Sequence, residues 1–163
     1  MNDKGFRAER VSRSATIILD GSLEKVFPLF GAIEEKKWAD GWDPVILAPA
    51  SGELQEGMVF TTRGHGHSES IYAWIVSKYL PENYRIEYTV STLNRYWVIA
   101  VQCESNSESE TKATITYTFT GLTPLGNEIN TRDIEKMYET HLEDWREAIN
   151  HYLRTGEVLK HHG

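Results

Sequence analysis

The chain has 163 residues, 40% of them hydrophobic, and a formal net charge of -7. That length and apolar content suit one domain over residues 1–163 with its core at about 15–155, and no biased linker divides it. The acidic balance, with Lys and Arg scattered, argues against nucleic acid as a main partner, and no apolar run is long enough for membrane insertion.

From Met1 to Ser14 the chain is polar and lacks the apolar core of a signal peptide, and Cys103 is the only cysteine, which excludes an internal disulfide. A reducing, cytoplasmic setting is the expectation. Ala15 to Leu19 suits a first strand, with Asp20-Gly21-Ser22 as turn and helix cap. Leu23, Val26, Phe27 and Phe30 have helical spacing, but Pro28 removes a donor and Gly31 follows, so two short helices with a bend are expected, the second over about Ile33 to Ala39. A loop rich in Trp and Gly comes next.

From Val45 the period changes. Val45 to Leu47, Gly57 to Thr62, Ser70 to Tyr79, Tyr84 to Val90, Arg95 to Cys103 and Lys112 to Thr120 are short, rich in β-branched and aromatic residues, and separated by turn chemistry. Connections this short join antiparallel neighbours. Tyr84, Ile86, Tyr88 and Val90 alternate with Arg85, Glu87 and Thr89, and Ala113, Ile115, Tyr117 and Phe119 alternate with threonines and Lys112, so one sheet face is wet and one is covered. Tyr96 to Val101 is apolar on both sides, which places it centrally or under another element.

Asn130 to Thr155 reads as one long amphipathic helix, on the order of 35 Å, capped by Asn130 or Thr131 and ended by Gly156. Ile134, Met137, Tyr138, Leu142, Trp145, Ala148, Ile149, Tyr152 and Leu153 share one face, opposite Lys136, Glu139, Glu143, Arg146, Glu147 and Asn150. The fold class is therefore α+β: a curved antiparallel sheet of about seven strands wrapped around a long C-terminal helix, with two short helices between strands 1 and 2.

At this point the chain resembles the START-like superfamily, also called SRPBCC, with its helix-grip fold, which includes polyketide cyclases, lipid-transfer domains and the birch pollen allergen group. The resemblance covers roughly Ala15 to Leu153. Phe27-Pro-Leu-Phe30, Glu35-Lys-Lys-Trp-Ala-Asp-Gly-Trp-Asp-Pro44 and Leu122-Thr-Pro-Leu-Gly-Asn127 look like a bacterial, cyclase-like branch of it. The resemblance implies an apolar ligand held between sheet and helix.

The residues supply their own reason to expect a cavity, since a concave sheet and a helix meet along a line and the remaining space is filled by large side chains or left open. The candidate ligand-binding residues are Tyr72, Trp74, Tyr88 and Tyr117 from the strands, Tyr138, His141 and Trp145 from the helix, and Trp38 and Trp42 from the loop. The alternative for each ring is plain core packing. His141 lies about 20° from Ile134 on the wheel, inside the apolar sector, where a histidine is hydrogen-bonded, charge-paired or turned to a cavity. Trp38 and Trp42, with Asp40 and Asp43, read either as an aromatic gate or as a loop nailed to the core.

His65 and His67, two apart, with Glu69 as an oxygen ligand, make a conceivable metal set, but the glycines between them point to a plain hairpin turn, and no metal or cofactor is expected. Glu34 and Glu35 read as a solvated helix face rather than an acid/base pair. No phosphate loop, CxxC pair, nucleophile elbow or dinucleotide fingerprint is present. Two functions remain: a binding protein for a mostly apolar small molecule (lipid, aromatic or polyketide-like), or a cyclase, dehydratase or hydrolase using the same cavity, with His141, Tyr88, Tyr117 or a loop aspartate moving a proton.

Overall fold

A computed structural model describes residues 5–66 and 69–160. Strand β1 (Arg10–Leu19) leads into the short helix α1 (Leu23–Val26) and two 3-10 turns, Phe27–Phe30 and Glu34–Lys37. Strands β2 (Val45–Ala48), β3 (Val59–Gly66), β4 (Glu69–Leu80), β5 (Arg85–Ser91), β6 (Arg95–Ser107) and β7 (Glu110–Gly121) follow, then helices α2 (Pro124–Met137) and α3 (Glu143–Thr155). The seven strands form one antiparallel sheet in the order β1-β7-β6-β5-β4-β3-β2, so the chain meanders from β2 to β7 and β1 closes the far side.

Period-two alternation sets which face each strand buries. On β7, Ala113, Ile115, Tyr117 and Phe119 are buried while Lys112, Thr114, Thr116 and Thr118 look outward. The outward residues are satisfied across the strand pair with β1, where Ser12 bonds Thr118 at 2.9 Å, Ser14 bonds Thr116 at 2.6 Å and Thr16 bonds Thr114 at 3.2 Å. Strand β6 lies between β5 and β7, buries Trp97, Ile99 and Val101 inside, and leaves Tyr96, Val98 and Ala100 half-buried on its outer face. No other element is needed to explain its apolar content.

The expected bend after β1 is present as one helical turn followed by 3-10 turns. Pro28 stands at the start of its turn, where a missing amide donor costs nothing, and Phe27, Leu29 and Phe30 are buried beneath the sheet's concave side. Each such side chain contributes roughly 1.5–3 kcal/mol of burial.

The C-terminal segment departs from the single helix read over Asn130 to Thr155. It begins earlier, at Pro124, with Thr123 as the cap accepting the Gly126 amide at 3.1 Å. Gly126 is required there: a Cβ would lie 1.8 Å from the Asn94 carbonyl oxygen. The helix then stops at Met137, and His141 and Leu142 take left-handed backbone angles (φ 53° and 58°) before α3 starts. Two such non-glycine residues each cost about 1–2 kcal/mol. Burial of Leu142 (1% exposed) and a hydrogen bond from the Tyr138 hydroxyl to the Ile115 carbonyl (3.0 Å) offset that cost. The break lets α2 pack chiefly on β7 and α3 on β1. Asn150, on the polar side of the continuous wheel, is buried and binds the end of β1, accepting from the Asp20 amide at 2.8 Å. At the C-terminal end Gly156 is left-handed (φ 74°) and its amide bonds the Tyr152 carbonyl at 2.7 Å, as read from the sequence.

Candidate functional site

Between the concave sheet face and the helical segments lies a cavity of about 720 Å³. Its walls are side chains that alternation turns inward, among them Tyr72, Trp74, Tyr88, Trp97, Ile99 and Tyr117, with Phe30 from the 3-10 turn and Trp145 from α3. The exposed members of the lining mark the rim: Gly41 and Asp43 from the loop before β2, Arg63 and His65 from β3, and Lys136, Thr140 and Asp144 from the α2–α3 junction. Met137 and Trp145, also lining residues, stand on either side of that junction, so the helix break shapes the opening.

The aromatic walls are braced by hydrogen bonds and by ring contacts. The Trp74 Nε1 donates to Thr62 Oγ1 at 2.9 Å, and its ring stacks on Phe60 with 5.2 Å between centroids and meets Trp42 edge-on at 5.3 Å. Trp42 and Trp38 donate their indole N–H groups to the carbonyls of Ala32 (2.6 Å) and Leu29 (2.7 Å). Both tryptophans therefore pin the Gly-bent loop to the turn that follows α1.

A buried ion cluster occupies part of the wall. Arg95, 1% exposed, donates to Glu69 Oε1 from Nε (3.0 Å) and Nη2 (2.8 Å), and from Nη1 to Asp133 Oδ2 (2.8 Å) and Asn130 Oδ1 (3.3 Å). Thr92 Oγ1 donates to the other Glu69 oxygen at 2.5 Å, and the guanidinium lies 4.6 Å over the Trp97 ring. The arrangement ties β4, β6 and α2 together and satisfies a charge that would otherwise be costly to bury. Asn130 Nδ2 has no hydrogen-bond partner among the described residues.

Glu35 behaves differently. As a residue it is half-buried, but its carboxyl turns into the cavity, where burial pushes it from an ordinary 4.5 up to about 8. No side-chain hydrogen bond holds it among the described residues. Burial also raises the phenols of Tyr88 and Tyr117 well above their ordinary range, and the Glu35 charge adds to both. Tyr88 donates to the Phe30 carbonyl at 2.6 Å, whereas the Tyr117 hydroxyl has no hydrogen-bond partner among the described residues.

The chain superposes over nearly its full length on solved structures of a known architecture. It is similar to norcoclaurine synthase from Thalictrum flavum in complex with dopamine and hydroxybenzaldehyde (TM-score 0.65, 10% identity, covering 90% of this chain and 88% of that one). It is likewise similar to the Zhui aromatase/cyclase from Streptomyces sp. R1128 (TM-score 0.66, 13% identity, 94% and 100% covered) and to Ara h 8.0201 (TM-score 0.62, 14% identity, 91% and 99% covered). The fold is the helix-grip fold. No family model matches the sequence, and no curated protein matches it.

Within this helix-grip frame, six of the nine residues singled out from the sequence line the cavity: Tyr72, Trp74, Tyr88, Tyr117, Trp145 and Trp42. Three do not. Trp38 is core, packed against Phe30 and Trp145, and Tyr138 is core, bonded to Ile115. His141 is exposed and outside the lining, because the break at residues 138–142 rotates it away from the face where a continuous helix would hold it. Glu69 is committed to Arg95 and is not available as a metal ligand; His65 is exposed at the rim with its ring against Tyr72, and His67 lies outside the described residues. Among the described residues no group of three His, Cys, Asp or Glu is placed to hold a metal ion, and no helix is long and apolar enough to cross a membrane.

Two features of the cavity wall escaped the sequence reading. Glu35 looked like half of a solvated acidic pair; the 3-10 turn sends Glu34 to a surface ion pair with Lys37 (2.5 Å) and its neighbour inward. Its one visible signal is a position three residues before Trp38, whose indole fixes the turn. Arg95 opens a strand with nothing in its spacing to mark Glu69 or Asp133 as partners.

Proposed function

We propose that this protein binds a mostly apolar small molecule in the cavity between the sheet and the two C-terminal helices. One observation carries the reading: a space of about 720 Å³ walled by aromatic side chains whose own polar atoms are largely bonded to protein. Pockets of that size and lining bury most of a molecule of a few hundred daltons, and affinity then follows from apolar area removed from water. The helix-grip neighbours named above fit the same picture, since one is a synthase in complex with dopamine and hydroxybenzaldehyde and another is an aromatase/cyclase.

The test is a titration with the neutral fluorescent probe N-phenylnaphthylamine, read by its emission and by quenching of tryptophan. Saturable one-to-one binding is expected in the micromolar range, and Thr140→Trp, an exposed rim position, should block it without disturbing the core. Non-saturable uptake, or binding unchanged in the Thr140→Trp variant, removes the proposal.

A second reading, proton transfer by a cyclase- or dehydratase-type enzyme, draws on the Glu35 carboxyl alone. A group pushed to about 8 exchanges its proton close to neutral pH, where general acid and base catalysis is most efficient. Any ligand that copurifies with the protein would then be consumed over time by the parent chain and persist with Glu35→Gln, as followed by mass spectrometry. Equal persistence with both chains sets this second reading aside.

A further inference from the structure

The polar atoms that face the cavity divide into those the protein uses and those it leaves. Tyr88 spends its proton on the Phe30 carbonyl, the indoles of Trp42 and Trp74 are bonded, and the Arg95 guanidinium is saturated by Glu69, Asp133 and Asn130. The Tyr72 hydroxyl accepts from the His65 amide (3.2 Å) and from Arg95 Nη2 (3.5 Å). The Glu35 carboxyl and the Tyr117 hydroxyl have no hydrogen-bond partner among the described residues; they lie on the 3-10 turn and on β7 respectively, close enough that the charge of one is felt by the other. Tyr117 is only 8% exposed and is packed by Phe119, Tyr138 and Trp145, so its hydroxyl has the cavity as its outlet. A buried hydroxyl or carboxyl without a partner costs about 1–3 kcal/mol, a cost that a ligand atom of matching chemistry removes.

Resting on the reading that the cavity holds an apolar molecule, we propose that Glu35 and Tyr117 act as two donors to one carbonyl oxygen of an aromatic ketone or quinone-type ligand. A protonated carboxyl and a phenol each offer one O–H, and a carbonyl oxygen accepts two hydrogen bonds without bringing a charge into the aromatic walls. An ammonium ligand would need the carboxyl ionised. Burial favours the neutral form of Glu35; of the titratable groups that share the cavity with it, Tyr88 and Tyr117 are phenols, Asp144 at the start of α3 is an acid, and the Arg95 cation is already neutralised by Glu69 and Asp133. The remaining lining charges, Asp43, Arg63, His65 and Lys136, come from the rim. Above the pKa of Glu35 the carboxylate only accepts, so the ketone loses one donor and meets a like-signed oxygen instead.

The experiment compares three probes of the same naphthalene frame by quenching of cavity tryptophans: acetonaphthone, isopropenylnaphthalene, in which carbon replaces the oxygen, and naphthylmethylammonium. At about pH 6 the ketone should bind about tenfold tighter than the hydrocarbon, and that advantage should vanish at about pH 9.5. Glu35→Gln, which keeps a neutral donor, should preserve the ketone preference at both pH values. Tyr117→Phe should reduce it several-fold at both while leaving the hydrocarbon unchanged. Equal binding of ketone and hydrocarbon at about pH 6, or an ammonium that binds tightest and gains affinity as pH rises, overturns the assignment while leaving the cavity-binding reading intact. Failure of all three probes to bind overturns both.

Discussion

Around Arg95 the guanidinium nitrogens are all bonded to protein, whereas Glu35 and Tyr117 face the same space with no hydrogen-bond partner among the described residues. Both clusters bury polar groups beside aromatic rings, and their difference separates scaffold from site. A charge fully met by the protein holds walls in place and has no capacity left for a ligand. A polar atom left unmet in a cavity carries a standing cost that lasts until something enters. Replacing members of the two clusters should therefore have opposite consequences.

The largest effect is expected at the saturated cluster. Arg95→Met leaves the Glu69 carboxyl, whose side chain is 1% exposed, without its counter-charge, and should cost about 3–5 kcal/mol in chemical denaturation. A loss under about 1 kcal/mol would mean that the cluster does not brace β4, β6 and α2. At Glu35 the sign reverses with pH. Its folded-state value lies above the unfolded one, so the native chain holds the proton more tightly, and stability present below about 4.5 is lost progressively as pH rises to about 8. Glu35→Gln removes this dependence: relative to the parent it should gain a few kcal/mol between about pH 5 and pH 9, read as a widening difference in melting temperature. A constant difference across that range contradicts a buried, unpaired carboxyl.

A smaller contrast comes from three phenols on the same structure. Tyr88→Phe and Tyr138→Phe each remove a hydroxyl bonded to a backbone carbonyl and should cost about 1 kcal/mol, while Tyr117→Phe removes an unbonded hydroxyl and should be neutral or slightly stabilising. Similar losses for all three would mean that Tyr117 has a partner after all.

The fold was legible because its signals are local and repeated. Alternation over Ala113 to Phe119 dictated which face β7 buries, and the turn chemistry between strands dictated antiparallel neighbours, so the sheet and the element order followed directly. The site was legible mainly where it inherits that alternation, as Tyr72, Trp74, Tyr88 and Tyr117 do, and at Trp145 and Trp42, large rings on an apolar helix face and in the Trp-rich loop. Glu35 depends on the turn of a single 3-10 segment, a shift of about 120° per residue that decides between Glu34 and Glu35 and leaves no periodic trace. The Arg95 partners are 26 and 38 residues away and meet only after the sheet and α2 have assembled.

The helix break is the case in which a strong periodic signal misled. Ile134, Tyr138 and Leu142, spaced by four, do face the core, and Trp145, Ala148 and Ile149 belong to a second apolar stripe that a continuous helix would merge with the first. Neither glycine nor proline marks the junction, which is held by Tyr138 and Leu142 against the left-handed strain at His141 and Leu142. Since His141 is exposed and its φ is 53°, His141→Gly removes strain without removing packing. Glycine also adds freedom to the unfolded chain, so the net gain should be small, about 0.5 kcal/mol in denaturant titration. A continuous helix through this position predicts the opposite, a loss of about 1 kcal/mol for glycine in a helix interior, so the sign alone distinguishes a broken C-terminal segment from an unbroken one.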